Sequence, residues 1–337
     1  MVIACLFTSI FFNSCTPSDD DFLPSIGEVN DDPPGDNPPD DNSDDGEDVE
    51  TNQTLTAYFR DNPDYSILST AIEQIGFSAA LDNPSSYTFF APDNNAFTRY
   101  LQSLGISDVR NISTGLLTQI IQYHMLSGRR DRSELNTGYT MALAREFASQ
   151  GNVHMYITKS ENTIRINNTV EITSGNIQTT NGTILKVSEV IALPTIATFI
   201  ESDPELAGLA EVISRETDNK VFELLGLIDR DFTFLAPNNA AFDAVLTELE
   251  YATIDAVPEA ELVNILENHI HPNDIKRQNK LTDNLMMVMK NENNVTVSNA
   301  NSIEFIDENQ RNSRLLTANI QAWNGVIHMV DKVLLPS

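Results

Sequence analysis

The 337-residue sequence predicts an α+β architecture made twice over, with two tandem domains that each carry an N-terminal helical half and a C-terminal antiparallel β-sheet half. Three observations carry this reading. Tyr87-Thr-Phe-Phe-Ala-Pro-Asp-Asn-Asn-Ala-Phe97 returns almost letter for letter as Phe232-Thr-Phe-Leu-Ala-Pro-Asn-Asn-Ala-Ala-Phe242. Leu117, Ile120, Ile121 and His124, spaced i, i+3, i+4, i+7, are answered in the same order by Leu262, Ile265, Leu266 and His269. Asn181-Gly-Thr-Ile-Leu-Lys-Val-Ser-Glu-Val190 before Leu193-Pro194 is answered by Asn324-Gly-Val-Ile-His-Met-Val-Asp-Lys-Val333 before Leu335-Pro336. The offset of about 145 residues is far longer than solenoid periods of about 20–50, so each copy is a whole domain.

Each element follows from local chemistry. The repeated motif reads as a short apolar strand, a Pro, and an N-cap residue (Asp93, Asn238) whose side-chain oxygen accepts from the free N–H groups of a first helical turn. After the cap, Phe97, Tyr100, Leu101 and Leu104, and in the second copy Phe242, Val245, Leu246 and Leu249, make one helix face. Earlier in copy one, Leu68, Ala71, Ile72 and Ile75 predict a helix ending near Gly76. From about Val153 the pattern turns to short alternating runs, 153–158, 163–166 and 170–172, matched by 285–289, 295–297 and 303–306, which are hairpin signals. Asn181-Gly182 and Asn324-Gly325 read as turns that tolerate positive φ and lead into a final strand. The domains are expected at residues 53–193 and 194–337, each able to fold alone. Pro194-Thr195 joins them without a Gly/Ser spacer, which predicts a restricted mutual orientation.

These motifs resemble the fasciclin domain family, with its Thr-x-Phe-Ala-Pro-(Thr/Asp)-Asn-x-Ala-Phe strand and cap, a mid-domain Tyr-His, and a closing Asn-Gly-x-x-His-x-(Val/Ile)-Asp-x-Val-Leu. The resemblance runs from about Gln53 to the end of the chain. Copy two matches the closing motif at Asn324, Gly325, His328, Asp331 and Val333, where copy one has Leu185 and Ser188 in place of the His and Asp. Copy one matches the Tyr-His at Tyr123 and His124, where copy two has Asn268 and His269. The resemblance implies a non-enzymatic adhesion or extracellular ligand-binding module, whose partners are extracellular matrix, a cell-surface protein or a glycan. In animal members the Tyr-His region is implicated in adhesion. The local pattern gives another reading: His124 and His269 lie on an apolar helix stripe, which predicts buried rings bonded to backbone. His328 and Asp331 are expected to be structural too, on opposite faces of a strand.

The charge of −29 and the lack of a dense basic patch argue against a nucleic-acid partner and against attraction to an anionic membrane. Residues 1–15 form an apolar run too short to span a bilayer, ending in Phe12-Asn-Ser-Cys15. It resembles a bacterial lipoprotein signal, which implies acylation of Cys15 and membrane attachment through that lipid only; an ordinary cleaved secretory signal is the alternative. The leader departs from the pattern in lacking basic residues and in having Phe12 where Leu is usual. Ser18-Asp-Asp-Asp21 is similar to signals that send lipoproteins to the outer face of the outer membrane. Residues 16–52 are rich in Asp, Pro, Gly and Asn, and read as an extended acidic tether. Asp41, Ser43, Asp45 and Gly46 match the start of a calcium loop, but Asn52 stands where the bidentate Glu belongs. Cys5 and Cys15 are the only cysteines, so the mature chain has no intrachain disulfide. Nucleophile-elbow, zinc-helix, phosphate-loop and dinucleotide motifs are absent, so no catalytic residue, metal or cofactor is assigned. The lone Trp323 is either a sugar-stacking platform or a packed ring. A second reading of function is an accessory lipoprotein of an outer-membrane glycan or nutrient uptake complex.

Overall fold

The computed structural model describes residues 49–337 apart from 84, 216, 218 and 219. The leader, Cys15, the calcium-like residues and nearly all of the acidic stretch lie outside the described residues. Copy one begins with β1 (Val49–Glu50), α1 (Leu55–Asp61), α2 (Ser66–Gln74) and α3 (Ser78–Leu81). The motif strand β2 (Tyr87–Pro92) and α4 (Asn94–Ser103) come next, then α5 (Thr114–Tyr123) and β3 (Met125–Ser127). Strands β4 (Gly138–Arg145), β5 (Asn152–Lys159), β6 (Ile164–Ile166), β7 (Val170–Thr179) and β8 (Gly182–Val187) complete it. Copy two repeats the plan. Its helices are α6 (Ile196–Ser202), α7 (Ala207–Ser214), α8 (Lys220–Leu225), α9 (Asn239–Glu248) and α10 (Glu259–Glu267). Its strands are β9 (Phe232–Pro237), β10 (Ile270–Pro272), β11 (Met286–Val288), β12 (Asn294–Ser298), β13 (Glu304–Ile306), β14 (Asn312–Ala322) and β15 (Gly325–Val330).

The α+β class holds, and the sheets run β3-β2-β8-β7-β6-β5-β4 and β10-β9-β15-β14-β13-β12-β11. Pairing departs from a purely antiparallel sheet in both copies: β2 with β8, and β9 with β15, are parallel, and in copy one the short β1 also lies parallel against β7. The cause is topological. The motif strand is laid down before its helices, and the closing strand returns from the hairpins to lie beside it in the same direction. Such a strand is covered on both faces, which explains its unbroken apolar run. Phe89 and Ile184 point into the cluster formed with the helices, while their neighbours Phe90 and Leu185 enter the cluster of the hairpin strands. Phe234 and Ile327 against Leu235 and Val330 do the same in copy two. Each sheet curls until its end strands meet; in copy two the Lys290 N–H donates to the Ile270 carbonyl (2.8 Å).

The Asn-Gly pairs do lead into β8 and β15, but not for the reason expected of a turn. Neither Asn181 nor Asn324 has a positive φ. Each is a buried clasp instead. Asn181 Oδ1 accepts from Leu55 N and Asn324 Oδ1 from Ile196 N, both at 2.9 Å, while the amide nitrogens donate to the carbonyls of Leu81 and Leu225. The glycines answer to a close approach: a Cβ on Gly182 would lie 2.5 Å from the Tyr87 carbonyl oxygen, and one on Gly325 2.2 Å from that of Phe232.

The two copies touch along β5 and β14. Tyr156 of copy one is buried in the copy-two core cluster, and Tyr139 meets Phe199 edge to face at 5.3 Å. Gln321 N donates to His154 Nδ1 (3.1 Å), and Gln321 Oε1 accepts from Ser149 Oγ (3.0 Å) and Arg277 Nη1 (2.6 Å).

Candidate functional site

The motif polar residues are consumed by internal bonds, in the same way in both copies. Asp93 caps α4 by accepting from Ala96 N at 2.7 Å, and Asn238 caps α9 by accepting from Ala241 N at 3.0 Å. The next residue braces the helices before it: Asn94 bonds Pro63 O and Ile67 N, and Asn239 bonds Pro204 O and Gly208 N. Thr88 and Thr233, both fully buried, each donate to a loop carbonyl (Gly128, Asp274) and accept from a loop N–H (Arg130, Lys276).

His124 lies at the C-terminus of α5, buried. Its Nε2 accepts from Ile191 N (2.9 Å), so the ring proton sits on Nδ1, which donates to Ile120 O (2.8 Å). His269 repeats this with Leu334 N (2.9 Å) and Ile265 O (2.8 Å). Each ring therefore staples a helix end to the segment that follows the closing strand. Burial holds both down to about 4, so they are neutral at pH 7. Tyr123 is equally buried; its hydroxyl donates to His154 O (2.8 Å) and accepts from Asn167 Nδ2 (2.9 Å). Asn268, at the Tyr123 position of copy two, donates to Leu334 O (3.2 Å) but leaves Oδ1 buried without a hydrogen bond among the described residues.

His328 is buried in β15, donating from Nε2 to Lys276 O (2.8 Å), and burial again brings it to about 4. Asp331, just past that strand, accepts from Arg314 N and Nε, both at 2.7 Å. Copy one keeps this second arrangement by other means, since Ser188 Oγ accepts from Glu171 N (3.0 Å). Tyr123, His124, His269 and His328 are thus interior, the first two in copy one and the others in copy two. Among the described residues no group of three His, Cys, Asp or Glu side chains converges as a metal site. Trp323 packs edge to face on Phe147 at 5.2 Å.

The junction residues carried no signal in sequence, because a contact between copies has no period. His154 accepts at Nδ1 from Gln321, and burial, with Arg277 nearby, holds it at about 4. Burial and the Asp203 carboxylate push the Tyr156 phenol up to about 12 and the Tyr139 phenol higher still, although the Tyr139 hydroxyl forms no well-shaped hydrogen bond among the described residues.

A curled mixed sheet capped by helices, closed by an Asn-Gly clasp and a buried His staple, and present twice, defines a tandem fasciclin-type module. The fasciclin domain model matches residues 63–194 and 206–336, and the chain belongs to that family. It is 28% identical over 264 residues to transforming growth factor-beta-induced protein ig-h3 of Oryctolagus cuniculus, covering 76% of this chain and 35% of that protein. Human periostin is 25% identical over 265 residues, with 76% and 29% covered. Immunogenic protein MPB70 of Mycobacterium bovis is 28% identical over 138 residues, with 40% and 65% covered. The chain thus spans about a third of the length of the ig-h3 relative. The solved fasciclin-domain pair from the insect cell adhesion molecule Fasciclin I superposes with a TM-score of 0.51 at 17% identity, covering 80% of this chain and 97% of that one.

Proposed function

We propose that the protein is a non-enzymatic, exported adhesion or extracellular ligand-binding module, held to the outer membrane or cell surface by a lipid on Cys15 and displayed on its acidic tether. The observation that supports it best is that the motif histidines of both copies are spent on internal staples while the domains keep the family fold, which leaves partner recognition to the outer surface. The structural neighbour is described as an adhesion molecule, in keeping with this reading. No helix among the described residues is long and apolar enough to cross a membrane. Matrix, a cell-surface protein or a glycan is the partner class.

Two experiments test this. Cys15→Ser should move the full chain from the membrane to the soluble fraction without altering its unfolding; retention of the variant on the membrane would sink the lipid anchor. Affinity isolation of the anchored protein from solubilised membranes tests the role. Retention on matrix or cells without a fixed partner is expected, and a stoichiometric transporter would instead make it an uptake accessory.

A further inference from the structure

Copy two carries a cleft of about 660 Å³ between residues 277–279, the turn 299–303 that joins β12 to β13, and Asn319 on the irregular strand β14. Its polar lining is amide and hydroxyl: Gln278, Asn279, Asn299, Asn301, Ser302 and Asn319. Ile303 adds apolar surface, and Arg277 is the one charged lining residue. In a chain with 49 Asp and Glu, a cleft lined by none of them has an unusual composition.

Two of the amides are fixed in advance. Asn299 Nδ2 donates to Leu281 O and its backbone N–H to Asp283 Oδ1, both at 2.9 Å. The atom that meets a carbonyl must be the nitrogen, so Asn299 keeps Oδ1 free as an acceptor. Asn319 stands at φ 63°, and its Oδ1 accepts from Gln278 N (2.7 Å), so it keeps Nδ2 free as a donor. The side chains of Gln278, Asn279, Asn301 and Ser302 make no hydrogen bond to the described residues, which leaves both donors and acceptors unspent. The volume falls in the range of about 300–1,000 Å³ usual for small-molecule sites.

This chemistry selects a ligand class. A cationic ligand would need a carboxylate, and none lines the cleft. An anionic ligand would depend on Arg277 alone, which already donates to Gln321, and would meet the negative field of the whole chain. A sugar hydroxyl both donates and accepts, as an amide does, and neighbouring hydroxyls can pair with one amide through two bonds. We infer that this cleft binds a neutral, hydroxyl-rich glycan, which deepens the binding-module reading and rests on it. Fixed orientation of Asn299 and Asn319 lowers the ordering cost of binding.

The test is binding of the full-length Cys15→Ser protein to immobilised neutral hexasaccharides (glucan, mannan and galactan series), with a polyuronate hexasaccharide as the charged control. At least one neutral series is expected to bind and the uronate not. Asn279→Ala with Asn301→Ala should weaken that binding by about ten-fold or more without moving the unfolding midpoint, since neither side chain is hydrogen-bonded to the described residues. Absence of neutral-glycan binding, or binding unmoved by the double variant, overturns the site. The same preparations are applied to cells and matrix: retention there with no glycan binding defeats this site alone, whereas retention on nothing defeats the binding-module reading beneath it.

Discussion

His124 fills both of its hydrogen-bonding capacities with backbone, so removing the ring leaves Ile120 O and Ile191 N buried and unpaired as well as opening a cavity. His124→Ala is therefore expected to cost on the order of 1–3 kcal/mol. Gln122→Ala, on the same helix but off the apolar stripe, should cost little. Denaturant midpoints of the two variants decide the matter; a His124→Ala protein as stable as its parent but deficient in attachment would make the helix end a binding site. The same burial gives a pH dependence. His124, His154, His269 and His328 stand at about 4 when folded against an ordinary value of 6.5. Between these values the unfolded chain binds more protons, so stability rises with pH through the window and is lost as pH falls from 6.5 toward 4. Each ring contributes a slope of up to about 1.4 kcal/mol per pH unit there. Thermal midpoints measured from pH 7 to 4.5 should fall steeply, and a flat profile would mean that the rings are not held neutral by the fold. Burial of His124 and His269 was legible in sequence, because an apolar stripe at helical spacing names the face on which each lies, whereas His154 at the junction gave no such signal. Their bonding partners were not, since Ile191 and Leu334 are brought near by the return of the closing strand.

At the scale of elements, the motif strand and the two helix caps were legible because capping and periodicity are local. The strands that were missed depend on distant partners. β4 has no clean alternation, and β14 is broken by register shifts that displace its inward and outward positions. α1 was overlooked because its seven residues show only two buried positions, Leu55 and Phe59. The Asn-Gly pairs show most directly how a correct position can rest on the wrong cause: the Asn is a buried clasp, and the need for Gly arises from the carbonyl of a neighbouring strand, joined at Gly325 by a φ of 158°. Gly182→Ala and Gly325→Ala should each therefore force β8 from β2, or β15 from β9, at a cost of about 1–3 kcal/mol. Gly115, around which a Cβ would meet nothing within 4 Å, supplies the control. Equal stability of all three variants, read from unfolding midpoints, would show that strand contact does not dictate these glycines.

For the whole molecule, the repeat was legible as two domains, and the direct junction at Pro194-Thr195 pointed to a restrained pair. What sequence withheld was how copy one enters the other core: Tyr156 is buried there, Tyr139 rests on Phe199, and the hairpin loop 146–151 closes on Gln321 and Arg277. Gly151 is part of that fit, as a Cβ there would lie 1.9 Å from Arg277 Nη1. Burying an aromatic side chain at such a contact is worth roughly 1.5–3 kcal/mol, enough to raise the stability of the intact pair above that of its parts. Residues 49–193 and 194–337, produced separately and compared with the intact chain by calorimetry, give the most direct test that two fasciclin domains are clasped into one pair. Each half is expected to unfold cooperatively, with the first half melting below its transition in the intact chain because Tyr139, Tyr156 and His154 lose their cover. Two halves without any transition would contradict this, showing that the repeat is one intertwined fold.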